Sequence, residues 1–386
     1  MSEGAITSLG EESLEDRVLE LERLWEREKS HAELSSAAGD TLALSTSSIH
    51  APLGRPMKLK LAVAVIAVLS LVRPAPASAA LTTFQTFVGN VGVSTDGFGG
   101  TSGDISASVP VGATVLAAYL YTATVGTPAS FPVTLAGTAV TFGPRVDNGT
   151  ACCGIGTARA DVTSIVAPLV NGGPGGTYNF SILEGNSDAQ DGEALVVVYS
   201  LASLDTATIG ILDGFADVNG DSTNLSFLSP LNPAAPGFFA EMRLGIGFSC
   251  NGPTCGDPQT STVTVNGTLI TDQAGNNDET GVDANGQLIT VGAFDDPFSP
   301  LLPTLAQDHE RYDLTPLINP GDTSITVVTA NPSTDDNIFL AVFAVSGIAD
   351  IGVTPFAAPA AVPEPATLSL LGLGMAAAWR RRKAAK

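Results

Sequence analysis

Asp217, Asn219 and Asp221 stand two residues apart in DGFADVNGDSTN, the stretch from Asp213 to Asn224. Oxygen-bearing side chains at alternate positions of a tight loop are what a calcium ion asks for, because it gathers roughly six to eight oxygen ligands in forgiving geometry. Two positions depart from a twelve-residue calcium loop: Ser222 is sixth, where Gly belongs, and Leu228 is twelfth, where a bidentate carboxylate belongs. Asp and Asn between strands also bond their own backbone. The residues are therefore calcium ligands or members of a plain turn. Weaker acidic loops occur at Asp278-Glu279 with Asp283 and at Asp295-Asp296.

Other candidate chemistry is sparse. Asp-Val-Asn-Gly-Asp resembles the first half of a dockerin-type or EF-hand-like loop, with the two departures above. His309 lies between Asp308 and Glu310, but neighbours in a strand point to opposite faces and chelate poorly together, so a surface histidine is expected. Arg159 with Asp161, and Arg311 with Asp313, place opposite charges two apart, on one strand face. A surface ion pair or a pinned strand edge is expected at both, with no catalytic residue. The chain has no Gly-x-Ser-x-Gly elbow, HExxH or phosphate loop.

Cysteines add a covalent possibility. Cys152, Cys153, Cys250 and Cys255 are the only four, and C-C with C-x4-C is not a zinc spacing. If exported, they are disulfide candidates. Either Cys250 pairs with Cys255 and Cys152 with Cys153, or each of one pair bridges to one of the other; spacing does not choose.

These residues need elements to hold them, and composition limits which. The 386 residues are 44% hydrophobic and 15% charged, with a net charge of -22. A packed, acidic protein is expected. Between Leu81 and Ala360 the basic residues are Arg145, Arg159, Arg243 and Arg311, against 27 Asp and Glu. Nucleic acid, bound by neutralising phosphates, is excluded as a partner. From Leu81 to about Gly347, short β-branched runs such as TVLAAYLYTATV, EALVVVYSL and IFLAVFAVSG alternate with Gly, Pro, Asn and Asp. That pattern predicts an all-β fold of tandem, jelly-roll-like β-sandwich units. Asn266-Gly267 and Asn285-Gly286 are tight-turn dipeptides.

An internal repeat divides this region. Arg159 to Leu201 and Arg311 to Gly347 both run Arg-x-Asp-[Val/Leu]-Thr, two apolar residues, a Gly-containing turn, a strand, an acidic loop and a long apolar strand. We expect one unit over 80–205 and a second over 206–350, or two halves of one large sandwich.

The ends of the chain read as addresses. Met57 to Ala80 has Lys58 and Lys60, then an apolar core from Leu61 to Val72, then Ala77-Ser78-Ala79. This is a secretory signal over 57–79, a signal helix read by the Sec translocon, with cleavage expected after Ala79. Residues 1–56 are a product of an upstream start choice or a disordered or helical cytoplasmic extension, in which Leu14, Val18, Leu21 and Trp25 mark a helix face. At the other end a linker, 351–362, leads to 363–386. There Pro363-Glu364-Pro365 precedes fourteen uncharged residues, Ala366 to Trp379, and then Arg380, Arg381, Arg382 and Lys383. The run is short for a permanent span, which needs roughly 17 to 25 residues. Prolines keep its approach extended, and the arginines favour a cytoplasmic end.

Together these three parts resemble a PEP-CTERM sorting signal. The resemblance implies a Gram-negative surface or matrix protein, associated with exopolysaccharide and biofilm. It also implies that an exosortase, a membrane cysteine peptidase, removes a short transmembrane sorting helix after transient inner-membrane anchoring. The stretches DVTSIV, GEALVVVYSL and ILDGF are similar to β-rich domains of such proteins. The expectation is a non-enzymatic exported protein; the alternative is a carbohydrate-binding or adhesive module, with calcium the candidate cofactor.

Overall fold

The computed structural model describes residues 81–148, 154–186, 189–217, 219–247, 261–275, 289–333 and 337–355. They belong to one compact unit, 76–386, and are mostly β-strand in antiparallel sheets, with almost no helix. In the N-terminal part the strands are β1 (Thr82–Gly89), β2 (Val91–Phe98), β3 (Ser102–Val109), β4 (Thr114–Thr124), β5 (Val133–Leu135), β6 (Thr138–Ala139), β7 (Val146–Asp147), β8 (Gly156–Asp161), β9 (Gly176–Glu184) and β10 (Gln190–Ser200). The C-terminal part has β11 (Ala207–Asp213), β12 (Asp221–Phe227), β13 (Ala240–Gly247), β14 (Ser261–Val265), β15 (Thr268–Ala274), β16 (Thr290–Val291), β17 (Arg311–Asp313), β18 (Ser324–Ala330), β19 (Asn337–Ser346) and β20 (Ala349–Pro355).

Among the described residues these strands form four sheets. A first inner sheet runs β2-β10-β4-β8-β7 and a first outer sheet β3-β9-β5-β6; a second inner sheet runs β1-β11-β19-β13-β16, with β17 also on β13, and a second outer sheet β15-β14-β18-β12-β20. The order β2-β10-β4-β8 recurs as β11-β19-β13-β17, and β3-β9-β5-β6 recurs as β12-β18-β14-β15. Chain order matches as well, strand for strand. β1 stands outside this correspondence: it lies at the N-terminal end yet pairs with β11.

Side-chain alternation explains the layering. In β10, Leu195 and Val197 join the apolar cluster shared with the first outer sheet, while Ala194, Val196 and Val198 join one shared with the second inner sheet. In β19, Ala341, Phe343 and Val345 pack with the second outer sheet, and Val342 and Ala344 with the first inner sheet. Strands covered on both faces must be apolar at consecutive positions. Hence LVVV and FLAVFAV are continuous runs, whereas β18, SITVVTA, alternates buried and part-exposed residues.

Turns repeat too. Asn266 (φ 48°) and Gly267 (φ 82°) join β14 to β15, and Ala136 (φ 48°) and Gly137 (φ 75°) join β5 to β6. Positive φ at both central residues gives the twist that a two-residue hairpin needs. A short helix, α1 (Thr163–Val170), follows β8 and buries Val166 and Val170. Its sequence, TSIVAPLV, contains Pro168 and β-branched residues and carries little helical preference, so only packing at positions i and i+4 reveals it. The equivalent segment after β17, Thr315–Leu317, is a single 3-10 turn.

One close approach gives a stability prediction. A Cβ on Gly292 would lie 2.4 Å from the Glu310 carbonyl oxygen and 2.8 Å from its carbon. Backbone cannot yield as a flexible side chain does. Gly292→Ala is expected to cost about 1–3 kcal/mol, seen as a lower urea midpoint with an unchanged slope.

Candidate functional site

Charge is concentrated between the two inner sheets. Glu241 Oε1 on β13 accepts from Arg243 Nε at 2.7 Å and from Arg311 Nε at 2.6 Å. Arg243 and Arg311 are register partners on neighbouring strands, so both guanidinium groups meet one carboxylate. Arg243 Nη1 then crosses to the first inner sheet, donating to Thr95 Oγ1 at 3.0 Å. Arg311 Nη1 donates to the carbonyls of Phe294 and Asp296. Burial pushes the Glu241 carboxyl up, but the two arginines outweigh it and hold it below its ordinary value. Beside them Val91, Tyr199, Asp205, Phe239, Glu241 and Arg243 line a cleft of about 340 Å³.

A second pairing sits elsewhere along the same interface. Arg159 on β8 pairs with Asp213 on β11, with its guanidinium 3.3 Å from the centre of the Phe84 ring. Tyr121 donates to the same Asp213 oxygen at 3.2 Å. The expected Arg159–Asp161 and Arg311–Asp313 surface pairs are thus replaced by pairs reaching β11 and β13. The two aspartates serve the backbone instead. Asp161 Oδ1 accepts from the Thr163 backbone N–H and Asp313 Oδ1 from that of Thr315, both at 2.9 Å. These carboxylates start the helical turn that follows each strand.

The Asp217–Asp221 loop is wound on itself. Asp217 Oδ1 accepts from Asn219 N at 2.8 Å and from Asn219 Nδ2 at 3.0 Å. Asp221 Oδ2 accepts from Asp217 N at 3.1 Å and from Leu81 N at 3.0 Å. Asp221 opens β12, 1% exposed, and its Oδ1 has no hydrogen-bond partner among the described residues. Among the described residues no group of three or more His, Cys, Asp or Glu is arranged to hold a metal. The side chains of Asp217 and Asn219 are thus engaged with each other rather than fanned around a shared centre.

Sequence reasoning missed the buried acids. Glu184 is 8% exposed and Glu193 0% exposed, and they meet carboxyl to carboxyl. Glu193 Oε1 also accepts from Thr122 at 3.2 Å and Gln190 at 3.1 Å. Burial raises Glu184 to about 8 and Glu193 well above its ordinary value. Near His309, Asp308 and Glu310 are buried, while the histidine is half-exposed. Asp308 Oδ1 accepts from Ser299 at 2.9 Å and Tyr312 at 2.8 Å, and Glu310 Oε1 from Gly275 N at 2.9 Å. The one sequence clue was acids inside otherwise apolar strands, as in QDGEALVVV.

Several expected sites lie outside the described residues: Ala77 and Ala79 of the signal, the four cysteines and their bridges, the acidic loop at 278–283, Asn285-Gly286, and the tail with Pro363, Glu364, Pro365 and Arg380 to Arg382. Among the described residues no helix is long and apolar enough to cross a membrane.

Antiparallel sheets, an acidic balance and arginines engaged in ion pairs define a β-rich protein. Residues 361–383 match the PEP-CTERM protein-sorting motif; the motif supports an exosortase-sorted protein and implies processing by that peptidase and export to the surface or extracellular space. No curated protein matches the chain.

Proposed function

We propose that this is a non-enzymatic component of the extracellular matrix, built as two tandem β-sandwich units and associated with exopolysaccharide through divalent cations. Its route is Sec export through the 57–79 signal, transient anchoring by the tail, and release by exosortase at Pro363-Glu364-Pro365. The observation that carries this reading is the fate of the arginines. Arg145 bonds Asp147, Thr124, Gly126 and Gly154, and Arg159, Arg243 and Arg311 lie in the pairs described above. Acids such as Asp104, Asp205, Asp272, Asp295, Asp313 and Asp350 remain exposed. A surface carrying one sign of charge concentrates counter-ions, and calcium shared with an acidic polysaccharide gives a bridge. Washing the matrix with EDTA is expected to release the protein, and calcium to restore retention. Protein that stays free at every calcium level contradicts the bridge.

Processing has its own test. Replacing Glu364 by alanine is expected to leave the tail attached and most of the protein in the membrane fraction. Intact-mass measurement checks this, and efficient tail removal in that variant counts against recognition of the Pro-Glu-Pro motif.

A second reading, a carbohydrate-binding module, is favoured by the 340 Å³ cleft, where Tyr199 and Phe239 offer apolar faces beside Asp205. Sugars bind by such faces together with polar edges. A glycan array separates the readings: binding abolished by Tyr199→Ala supports the module, and no binding removes it.

A further inference from the structure

The inner face of the second outer sheet changes character along its length. Leu225 and Phe227 on β12, Ile325 and Val327 on β18, and Val263 and Val265 on β14 all join one apolar cluster. Side chains two apart share a face, so the same face continues into Thr223 and Asp221 on β12, Thr329 on β18 and Ser261 on β14. These polar residues gather at one end of the sheet. Asp221 and Thr329 are register partners, and Thr329 pairs on its other side with Val263, two residues from Ser261.

Asp221, Thr329 and Ser261 are 1%, 5% and 0% exposed, and Asp221 Oδ1, Thr329 Oγ1 and Ser261 Oγ have no hydrogen-bond partner among the described residues. Both amides that reach Asp221, those of Leu81 and Asp217, bond Oδ2 and leave Oδ1 aside. Buried oxygens are normally satisfied, and leaving one without a partner is costly. The other half of the fold is polar at the equivalent point. Val263 pairs with Thr329 across β14 and β18 as Val133 pairs with Glu184 across β5 and β9, so Glu184 is the counterpart of Thr329. There a second carboxyl, that of Glu193, meets it. Here Asp221 and Thr329 stand opposite each other, yet neither oxygen bonds the other.

We infer that one internal water molecule joins Asp221 Oδ1, Thr329 Oγ1 and Ser261 Oγ between the second inner and outer sheets. The donor set selects water. A carboxylate oxygen only accepts, whereas a hydroxyl both donates and accepts, so a water donates to Oδ1 and exchanges bonds with both hydroxyls. Buried waters make about three hydrogen bonds, the number these side chains offer. A calcium ion gathers roughly six to eight oxygens, and three oxygens with a single carboxylate among them fall well short. Room comes from a small neighbour, since the register partner of Ser261 is Ala274. The water ties β12, β18 and β14 together across their inner face. It also steadies the carboxylate whose other oxygen holds Leu81, the residue before β1.

The test joins a crystal structure of the exported protein to oxygen-17 relaxation dispersion, which counts waters held longer than the protein takes to tumble. The crystal is expected to show one water within about 2.7–3.2 Å of all three oxygens. Thr329→Val keeps the shape and deletes the hydroxyl. It is expected to lose one long-lived water from the dispersion and to melt at a lower temperature, whereas Thr329→Ser is expected to retain both. The wild-type crystal decides the matter even where a variant fails to fold. A direct Asp221–Thr329 bond with nothing between the two overturns the proposal, as does a folded Thr329→Val protein that keeps its full count of long-lived waters. A centre ringed by oxygens at roughly 2.3–2.6 Å overturns it too and makes this a metal site.

Discussion

Glu241→Ala is expected to lower stability by about 3–5 kcal/mol, the usual loss when one partner of a buried ion pair is removed. In a domain of this size that is a fall in melting temperature of roughly 6–20 °C. The reason is stoichiometric. One oxygen, Glu241 Oε1, serves both Arg243 and Arg311, whose side chains are 7% and 17% exposed. Without it two guanidinium groups remain between the inner sheets, with the Thr95, Val93, Phe294 and Asp296 acceptors among the described residues. Glu241→Gln keeps the shape and one acceptor but not the charge, and is expected to recover less than half of the loss. Asp161→Ala serves as the contrast. It removes an exposed side-chain acceptor for the Thr163 amide and is expected to cost about 1 kcal/mol. A thermal shift for Glu241→Ala no larger than that of Asp161→Ala counts against a shared buried cluster.

That cluster also shows what a sequence conceals. The Arg-x-Asp-x-Thr elements are visible as a repeat, and the structure sets them at equivalent points, on β8 before α1 and on β17 before the 3-10 turn. Spacing alone paired each arginine with the aspartate two residues on. It cannot reveal that another strand brings a better-placed carboxylate, Asp213 or Glu241, from far along the chain. The aspartates instead accept from the Thr163 and Thr315 amides. Likewise the long apolar runs announced strands, but their lack of alternation also encoded position, because only strands covered on both faces can be apolar at every residue. Asn266-Gly267 was legible because its chemistry is local; Ala136-Gly137 adopts the same two positive φ values with half the cue. The Asp217–Asp221 spacing was legible as oxygen ligands. What the spacing does not show is Leu81, 140 residues away, whose amide bonds Asp221.

Acid groups divide into two kinds with opposite responses to pH. Glu241 is held below its ordinary value, so its contribution is present above the unfolded glutamate pKa of about 4.3 and is lost as pH falls below it. Glu184, raised to about 8, Glu193, raised well above its ordinary value, and Asp96, raised to about 7, behave the other way. Burial is the leading cause in all three, with the neighbouring carboxyl adding to it for Glu193. From about pH 4.3 upward the unfolded chain ionises these groups while the folded chain keeps its protons. The folded state therefore binds more protons, and stability falls as pH rises, toward about pH 7 for Asp96 and about pH 8 for Glu184. The two kinds together place the optimum in mildly acidic solution.

The melting temperature is accordingly expected to be higher at pH 5 than at pH 8, by at least about 5 °C, since one group held protonated through one pH unit contributes roughly 1.4 kcal/mol. Glu193→Gln isolates the source. The amide copies a protonated carboxyl in size, keeps an acceptor for Thr122 and Gln190, and offers Glu184 a donor that no longer depends on a shared proton. It is expected to change little at pH 5, to raise stability at pH 8, and to flatten the decline between them. Differential scanning calorimetry across that range reads all three effects. A wild-type melting temperature that climbs from pH 5 to pH 8, or a Glu193→Gln profile parallel to wild type, would show that the carboxyl pair ionises normally within the fold.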